Sequence, residues 1–288
     1  ASPGINDWFE TVKINYGDTH TGTWDKKLDI IMFWASKGVD GFRCDMVELV
    51  PPAFFAWMIA EVKKTYPEVI FVAEVYKKDL YGEYIRSVGF DYLYDKSGLY
   101  DTLKIIVDKG VNDNGMPVEL WQSTSGITRN WQFLGDLQPY MLNFLENHDE
   151  QRIASDFFAG SSEKARPALA VSAFMGTNPL MIYAGQELGE RGMDAEGFSG
   201  RDGRTTIFDY WHVDTLDCLC HGDLLTCTPE QQALYAYYNN IVKLCNSEAA
   251  LREGTFYDLQ YANYVADNGY NADRQYAVLR AAGKDERE

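Results

Sequence analysis

The sequence predicts an α/β fold in which short parallel strands alternate with helices. Runs of β-branched and aromatic residues recur along the chain, and amphipathic stretches with helical periodicity lie between them. The run Val69–Val75 is nearly all apolar, which is typical of a strand buried on both faces of a parallel sheet. Five such strands are predicted, and that number is compatible with a doubly wound sheet and with part of a barrel.

The first predicted elements are a helix, a strand and a second helix. Thr23–Lys37 is predicted to be a helix that ends at Gly38, and the strand Val39–Met46 follows it. Pro51-Pro52 begins the second helix, because proline is favoured in a first helical turn, and Pro67 ends it. The apolar face of the first helix is expected to comprise Trp24, Leu28, Ile31, Met32 and Ala35, and that of the second Phe55, Met58, Ile59 and Val62.

Three more strands are predicted after Val69–Val75, with helices near 98–109 and 164–175 between them. Thr228 and Gln231 form a predicted capping box at the start of another helix. Long loops are predicted around 110–137 and 188–227, and loops of this length are usually functional. The three strands are Phe90–Tyr94, Tyr140–Leu145 and Pro179–Tyr183.

The pattern changes near residue 250. Thr255–Tyr261 and Gln275–Leu279 alternate in a way that is typical of antiparallel strands. The sequence therefore predicts an α/β domain over residues 1–249 and the start of a β domain over residues 250–288.

Composition and net charge limit the kinds of molecule that this chain is expected to bind. The chain is 46% hydrophobic and 24% charged, as expected for a globular protein. Its net charge of −17 would repel nucleic acid and anionic membrane surfaces, whereas a neutral carbohydrate stays compatible. Because no apolar run approaches the roughly 18 residues of a membrane helix, no transmembrane segment is predicted. The compartment stays open, with an extracytoplasmic location slightly favoured.

Three acidic residues lie at the C-terminal ends of three different predicted strands: Asp45, Glu74 and Asp149. The carboxyl ends of parallel strands are where α/β folds place their active sites. Arg43 lies two positions before Asp45, on the same side of the strand, and favours the ionised carboxylate that a nucleophile requires. Glu74 follows an apolar run, and desolvation there favours the protonated form that a proton donor requires.

This pair of carboxyl groups matches the requirement of a retaining glycosidase, which needs a nucleophile and an acid about 5 Å apart. Asp149, preceded by His148, is expected to hold sugar hydroxyls. Other interpretations stay open at this point. Clustered carboxylates also bind magnesium or calcium, each acid alone could cap a helix, and a lone buried histidine is more often a core residue.

Four segments resemble signatures of the α-amylase family (glycoside hydrolase family 13). They occur in the family's order, and the resemblance covers about residues 5–250. Gly41–Asp45 (GFRCD) resembles the nucleophile strand, Ala73–Tyr76 (AEVY) the acid/base strand, Phe144–Asp149 (FLENHD) the third signature, and Asn178–Glu187 (NPLMIYAGQE) the eighth barrel strand.

The resemblance implies that residues 1–249 are the C-terminal part of a (β/α)8 TIM barrel, with strands four to eight present, followed by the start of an antiparallel β-sandwich domain. It implies a double displacement in which Asp45 forms a covalent glycosyl-enzyme, Glu74 is acid and then base, and Asp149 stabilises the transition state. The implied substrate-binding residues are Arg43, His148 and Asn147 around the cleaved sugar, Tyr76 at the acceptor subsite, and Asp202 and Arg204 at a further donor sugar.

The implied activity is retaining hydrolysis of starch, maltodextrin or related α-glucans. The alternatives are a transglycosylase of the same family and a non-catalytic member of the fold that binds sugar. The resemblance implies no cofactor for the chemistry and leaves room for a structural calcium ion, whose ligands the sequence does not identify.

The sequence also departs from the family pattern. The family's first signature, an Asp followed by Asn and His, is absent, and so are segments that could form barrel strands one to three. We therefore expect this sequence to be an internal stretch of a longer protein. An isolated fragment is expected to be inactive, because the absent signature supplies groups to the central sugar site.

Overall fold

The computed structural model describes residues 12–107, 123–192, 202–205, 212–220, 224–263 and 269–283. The chain divides into two units, one comprising Ala1–Val75 with Asp79–Leu93 and the other Tyr76–Lys78 with Tyr94–Glu288. No helix in the described ranges has the length and apolar character needed to cross a membrane.

The strands are β1 (Gly41–Cys44), β2 (Ile70–Ala73), β3 (Tyr92–Tyr94), β4 (Met141–Phe144), β5 (Leu180–Met181), β6 (Thr255–Asp258) and β7 (Val278–Ala281). The helices are α1 (Gly22–Ala35), α2 (Pro52–Thr65), α3 (Tyr81–Glu83), α4 (Asp101–Val107), α5 (Ser125–Leu134), α6 (Arg166–Phe174), α7 (Asp217–Cys220), α8 (Pro229–Ser247), α9 (Ala249–Arg252) and α10 (Gln260–Asn263). Short 3₁₀ and π segments connect several of them.

Parallel pairing in the first unit confirms the predicted strand type. Gly41 pairs with Ile70 and Cys44 with Ala73, so β1 and β2 end side by side. β2 pairs in turn with β3, again in parallel. β1 is shorter than the predicted strand Val39–Met46. Its extended backbone cannot include Met46, which adopts a left-handed conformation with φ of 43°.

The predicted apolar face of α2 is confirmed. Phe55, Met58, Ile59 and Val62 are all buried, and Phe54 is buried with them. The prediction for α1 holds only in part, because among its expected core residues only Trp24 and Ala35 are buried. The α1 side chains that stay about half exposed in the described part of the chain are Ile30, Phe33 and Trp34.

β2 does not have both faces buried, so that prediction was wrong. Phe71 and Ala73 are fully buried, whereas Ile70 is 39% exposed. Successive side chains of a strand point to opposite faces, and only one of the two faces of β2 is covered by the described residues. The apolar run Val69–Val75 therefore predicts the strand correctly but overestimates how much of its surface is buried.

The second unit contains a second parallel pair. Asn143 of β4 pairs with Leu180 of β5, and Phe144 pairs with Met181. Asp95, the residue after β3, donates its backbone N–H to the carbonyl of Leu142 at 3.2 Å. The ring of Phe144 stacks on Tyr100 with centroids 5.0 Å apart. A backbone hydrogen bond and a ring contact therefore fix Asp95 and Tyr100 against β4.

α8 begins with the predicted capping box. The Gln231 N–H donates to Thr228 Oγ1 at 3.2 Å, and the Thr228 N–H donates to Gln231 Oε1 at 2.8 Å. The periodicity of this helix predicts an apolar face of Leu234, Tyr238, Ile241 and Cys245, and the first three are buried while Cys245 is only partly buried.

The prediction of one long loop over 110–137 was wrong, because α5 occupies Ser125–Leu134. Its residues Gly126, Thr128 and Asn130 are weak helix formers, so local propensity does not predict it. Tertiary contacts stabilise it instead. Thr128 Oγ1 donates to Asp258 Oδ2 at 2.6 Å, and Asn130 Nδ2 donates to Asp95 Oδ2 at 2.9 Å. The described parts of 188–227 likewise contain α7 and two short 3₁₀ segments, Asp214–Leu216 and Leu224–Thr226.

The predicted antiparallel pairing near the C-terminus is confirmed, but the predicted strand Thr255–Tyr261 already ends at Asp258, because α10 occupies Gln260–Asn263. Thr255 pairs with Ala281 and Asp258 with Val278. Arg280 of β7 donates to the carbonyl of Phe174 at 3.0 Å, which fastens the pair to α6. The boundary near residue 250 stays a prediction.

Candidate active site

Two of the three acidic residues lie together at the carboxyl ends of β1 and β2. Because Cys44 pairs with Ala73, the next residues, Asp45 and Glu74, follow at the same edge of the sheet. The Glu74 N–H donates to the carbonyl of Cys44 at 2.9 Å, and the Val47 N–H donates to the carbonyl of Glu74 at 3.2 Å. The strand register thus fixes the relative position of the two carboxyl groups.

Arg43 binds both carboxylates. Its Nη1 forms an ion pair with Asp45 Oδ1, as the spacing of the two residues predicts. Its Nη2 also lies 3.0 Å from Glu74 Oε1, a contact that the sequence does not reveal because it depends on the pairing of β1 with β2. The Asp45 side chain is 62% exposed and that of Glu74 only 2%. Glu74 is therefore buried as expected, but beside a cation and not in purely apolar surroundings.

The backbone of Met46 holds the second oxygen of Glu74. The Met46 N–H donates to Glu74 Oε2 at 2.8 Å. Met46 is the single non-glycine residue with positive φ in the described part of the chain. Such a conformation costs a side-chain-bearing residue roughly 1–3 kcal/mol and persists where surrounding contacts enforce it. One oxygen of Glu74 consequently accepts a backbone hydrogen bond and the other lies in the ion pair with Arg43, so the carboxyl group is held in one orientation.

The segment after β4 carries the third acidic residue, in the second unit. Asn147 is buried, and its Oδ1 accepts the backbone N–H groups of Asp149 at 2.8 Å and Glu150 at 2.9 Å. His148 Nε2 lies 3.2 Å from Asp149 Oδ2, and both side chains are 32% exposed. Asn147 thus shapes the turn that presents His148 and Asp149, and contacts of these residues with a sugar stay predictions.

The remaining predicted binding residues also lie in the second unit. Tyr76, two residues after Glu74, is half-buried. Asp202 and Arg204 interact with each other, since the Arg204 N–H donates to Asp202 Oδ1 at 3.1 Å and Arg204 Nε lies 3.7 Å from Asp202 Oδ2. The two side chains form a polar pair, and their role at a donor sugar stays a prediction.

The sequence does not predict a buried ion pair between Glu146, three residues before Asp149, and Arg152, three residues after it. Glu146 Oε2 accepts from Arg152 Nη1 at 2.8 Å, and the two side chains are 1% and 2% exposed. Arg152 Nε donates to Thr205 Oγ1 at 2.7 Å, and its Nη2 donates to the carbonyl of Ala184 at 3.0 Å. Its guanidinium also lies 4.0 Å from the centre of the Tyr183 ring. One side chain therefore connects the Asp149 turn, the end of β5 and the segment 202–205.

The only sequence signal for this pair is a Glu directly after an apolar strand with an Arg six positions later, which is common without any pairing. Gly203 makes the close approach of the segment 202–205 feasible. Its carbonyl accepts the Arg152 N–H at 2.7 Å, and its φ is 78°. A Cβ at this position would lie 2.5 Å from Ser155 Oγ, so a larger residue would displace the segment.

Burial raises the pKa of Glu146 to about 7, while Arg152 acts in the opposite direction. Because folding favours the protonated carboxyl, its contribution to stability is complete below the ordinary value of 4.5 and is lost as the pH rises through about 7. We expect Glu146→Gln to flatten the fall in Tm between about pH 5 and pH 7, measured by thermal unfolding. The exposed Glu163, paired with Arg166, provides the control Glu163→Gln, and equal pH slopes in both variants would contradict the expectation.

One group of described residues could offer three ligand atoms to a cation. The ligand atoms of His212, Asp214 and Asp217 lie within 4.8 Å of one another. Their side chains are 68%, 95% and 48% exposed, and His212 Nε2 lies 3.2 Å from Asp214 Oδ1 and 3.1 Å from Asp217 Oδ2. Exposed carboxylates of this kind are common without a metal, so the structural calcium ion stays a prediction without assigned ligands.

A family model described as "Alpha amylase, catalytic domain" matches residues 13–217. Among curated proteins, the chain is similar to "Alpha-1,4-glucan:maltose-1-phosphate maltosyltransferase" of Mycolicibacterium smegmatis, with 36% identity over 83 residues, or 28% of this chain and 12% of the relative. The enzyme of that name from Myxococcus xanthus is 27% identical over 118 residues, or 38% of this chain and 18% of the relative.

Solved structures show the fold. The α-amylase from H. orenii matches with a TM-score of 0.64 and 21% identity, over 93% of this chain and 54% of that one. The ligand-free cyclic α-maltosyl-(1→6)-maltose hydrolase from Arthrobacter globiformis matches with a TM-score of 0.63 and 19% identity, over 90% of this chain and 50% of that one. The chain thus spans about half the length of these structures, and its parallel strands β1–β5 confirm the predicted partial (β/α)8 barrel.

Proposed function

This chain belongs to the α-amylase family, whose catalytic-domain model matches residues 13–217, and from that premise we propose that it cleaves α-glucosidic bonds with retention of configuration. Asp45 is the nucleophile and Glu74 the acid/base residue. The observation that carries the proposal is the single guanidinium of Arg43 in contact with both carboxylates. A retaining glycosidase needs two carboxyl groups of different protonation held close together.

In the first step, Asp45 attacks the anomeric carbon while Glu74 gives a proton to the departing glycosidic oxygen. Asp45 suits this task because its carboxylate is exposed and lies in an ion pair with Arg43. The C–O bond to the leaving sugar breaks as the ester bond to Asp45 forms. Glu74 is left as a carboxylate, and the leaving sugar departs with a complete hydroxyl group.

The position of Arg43 explains how the charges of the site stay balanced both before and after the attack by Asp45. Before the attack, one proton on Glu74 leaves a single carboxylate to balance the guanidinium. After it, Asp45 is an uncharged ester and the carboxylate of Glu74 balances the same cation at 3.0 Å. In the second step, Glu74 takes a proton from the incoming water or sugar hydroxyl as the oxygen of that group attacks the anomeric carbon. The bond from this carbon to Asp45 breaks, and Asp45 is released as a carboxylate.

The roles of the second-unit residues in this proposal rest on their motif. Asp149 binds sugar hydroxyls and strengthens that contact as the ring distorts, with His148 beside it. Asp202 and Arg204 bind a further sugar on the donor side. Asn147 and Arg152 act through these residues, because their hydrogen bonds shape the turn and the segment that carry them.

The acceptor of the glycosyl group decides the reaction type. We propose hydrolysis of starch-like α-glucans as the main activity, with water as the acceptor. Maltosyl transfer to another glucan is the second candidate. It is favoured by curated relatives that are 32–36% identical over about 80 residues and carry the name of a maltosyltransferase.

Incubation of the full-length protein with maltoheptaose distinguishes these activities. Hydrolysis is expected to give only products shorter than the substrate, whereas transfer also gives longer ones. Maltose 1-phosphate with maltohexaose tests the maltosyl donor directly, by release of inorganic phosphate. Products are resolved by chain length, with the Asp45→Asn protein as the blank. Absence of cleavage of both substrates would contradict the proposal.

A further inference from the structure

The turn that carries Asp149 is bound by the segment of residues 96–104, which follows β3 in the second unit. Tyr100 donates its hydroxyl hydrogen to Glu150 Oε2 at 3.0 Å, and Lys96 Nζ lies 3.3 Å from Glu150 Oε1. The Glu150 side chain is 12% exposed, and Tyr100 is fully buried. Both carboxylate oxygens of the residue directly after Asp149 therefore have a partner on this segment.

The two partners of Glu150 are themselves held in place. The Tyr100 ring stacks on Phe144 of β4 with centroids 5.0 Å apart. Lys96 Nζ also donates to Asp101 Oδ1 at 2.9 Å, so its ammonium group lies between two carboxylates. Burial acts to lower the pKa of Lys96, but the carboxylates of Glu150 and Asp101 raise it overall. Lys96 consequently keeps its charge beside Glu150.

Further hydrogen bonds fix the backbone on both sides of Asp149. Before it, Asn147 Oδ1 accepts the N–H groups of Asp149 and Glu150. After it, the buried Lys104 of α4 donates through Nζ to Gln151 Oε1 at 2.7 Å. The Asp149 carboxylate itself stays 32% exposed. The turn is thus fixed at its backbone while its acidic group remains accessible.

These contacts can affect rate more strongly than stability. An ion pair with a partly exposed member contributes about 0–1 kcal/mol to the fold. Misplacement of a catalytic group by about 1 Å, in contrast, can cost about 10²-fold in rate. Glu150 is joined to Asp149 by one peptide bond, so a change in the position of the Glu150 side chain turns the backbone that carries the Asp149 carboxylate.

We propose that Lys96, Tyr100 and Glu150 form a clamp, the Glu150 clamp, that fixes the direction of the Asp149 carboxylate during glycosyl transfer. The three are positioning residues, because they act through Asp149 and do not touch the sugar. The inference rests on the proposed function, in which Asp149 binds sugar hydroxyls more strongly as the ring distorts. All the contacts that support it lie within the second unit.

A double-mutant cycle with Asp149 tests the Glu150 clamp in the full-length protein. Glu150→Ala is expected to lower kcat for an aryl maltoside about 10²-fold and to change KM less than about twofold, because the contact of Asp149 strengthens in the transition state. In the Asp149→Asn protein, the same substitution is expected to lower kcat less than about twofold, because no carboxylate is left to direct.

Conservative variants separate the parts of the clamp. Lys96→Met and Tyr100→Phe are each expected to lower kcat about 10-fold, the effect of losing one hydrogen bond to a charged group. Glu150→Gln should recover part of the loss seen in Glu150→Ala, because its amide oxygen can still accept from Tyr100. Recovery of this kind identifies the contact with Tyr100 as part of the clamp.

Two exposed positions of the same unit provide matched controls. Glu253→Ala and Lys243→Met should leave kcat unchanged, and thermal unfolding checks that every variant is folded at the assay temperature. A loss in Glu150→Ala that is equally large in the Asp149→Asn protein would overturn the inference, because Glu150 would then act on another group. An unchanged kcat in Glu150→Ala would overturn it as well.

If the wild-type protein cleaves neither maltoheptaose nor the aryl maltoside, the proposed function fails. Amide hydrogen exchange, measured by mass spectrometry on peptides that span 147–151, then decides on the clamp separately. Glu150→Ala is expected to speed exchange of the Asp149 and Glu150 amides at least about 10-fold relative to Glu253→Ala, because the turn opens more easily. Equal exchange in the two variants would show that Glu150 does not hold the turn.

Discussion

The Asp45→Asn substitution is expected to lower kcat for cleavage of maltoheptaose by about 10⁴-fold or more, the scale on which loss of a nucleophile is felt. An amide oxygen is too weak a nucleophile to form the glycosyl-enzyme, while the side chain keeps its shape and can still accept from Arg43. Because Asp45 is 62% exposed, little change in stability is expected. Initial rates on maltoheptaose and on an activated aryl maltoside measure the loss, which should be large on both.

Position 40 offers a matched control, since Asp40 precedes β1 where Asp45 follows it, and it is exposed. Asp40→Asn should leave both rates unchanged. The Glu74→Gln variant separates the two roles, because a good leaving group needs no proton. It should lose most of its activity on maltoheptaose and keep most of the first step on the aryl substrate. Retained hydrolysis of maltoheptaose by Asp45→Asn would show that Asp45 is not the nucleophile.

Glu74→Gln should also destabilise the fold, unlike Asp45→Asn. The two oxygens of Glu74 face two donors, Arg43 Nη2 and the Met46 N–H. Compared with the ionised carboxylate, in which both oxygens are acceptors, an amide has one acceptor and one donor group, so one of these contacts becomes a meeting of two donors. A mispaired buried polar group costs about 1–3 kcal/mol. Comparison of rates must therefore be made at a temperature where both variants are folded.

Local sequence signals predicted the elements that local chemistry determines. α2 follows from proline in its first turn and from apolar residues at helical spacing, and all four predicted core residues are buried. α8 follows from the capping box of Thr228 and Gln231, which both hydrogen bonds confirm. In both helices, residues that are close in sequence carry the information.

Contacts between distant segments were not predictable in this way. The pairing of Cys44 with Ala73 brings Arg43 to Glu74, although 31 positions separate them, and no local pattern encodes that register. α5 was missed for the same reason, because its hydrogen bonds to Asp95 and Asp258 outweigh the weak helix propensity of Gly126 and Thr128. The three acids were predicted because Asp45 and Glu74 lie at the ends of apolar strands and Asp149 lies in the segment that follows another one.

The Arg152→Ala substitution is expected to lower the free energy of unfolding by about 3–5 kcal/mol, as removal of one partner from a buried ion pair does. It would leave the Glu146 carboxylate 1% exposed and without its cation. It would also remove the hydrogen bonds to Thr205 and to the carbonyl of Ala184. Urea unfolding followed by circular dichroism measures the change. Because a buried carboxyl group without its donor causes much of the loss, the double variant Glu146→Gln with Arg152→Met should be more stable than Arg152→Ala alone.

An exposed ion pair of similar length provides the control. Arg252 Nη2 lies 2.7 Å from Glu253 Oε1, with side chains 50% and 67% exposed, so Arg252→Ala should cost only about 0–1 kcal/mol. Arg152→Lys then separates charge from geometry, because one ammonium group cannot reproduce the three directions in which the guanidinium donates. That variant should keep more stability than Arg152→Ala while its KM for maltoheptaose rises, since the segment carrying Asp202 and Arg204 loses its hydrogen bond from Arg152 Nε. A loss in Arg152→Ala no larger than in Arg252→Ala would show that the pair does not hold these segments together.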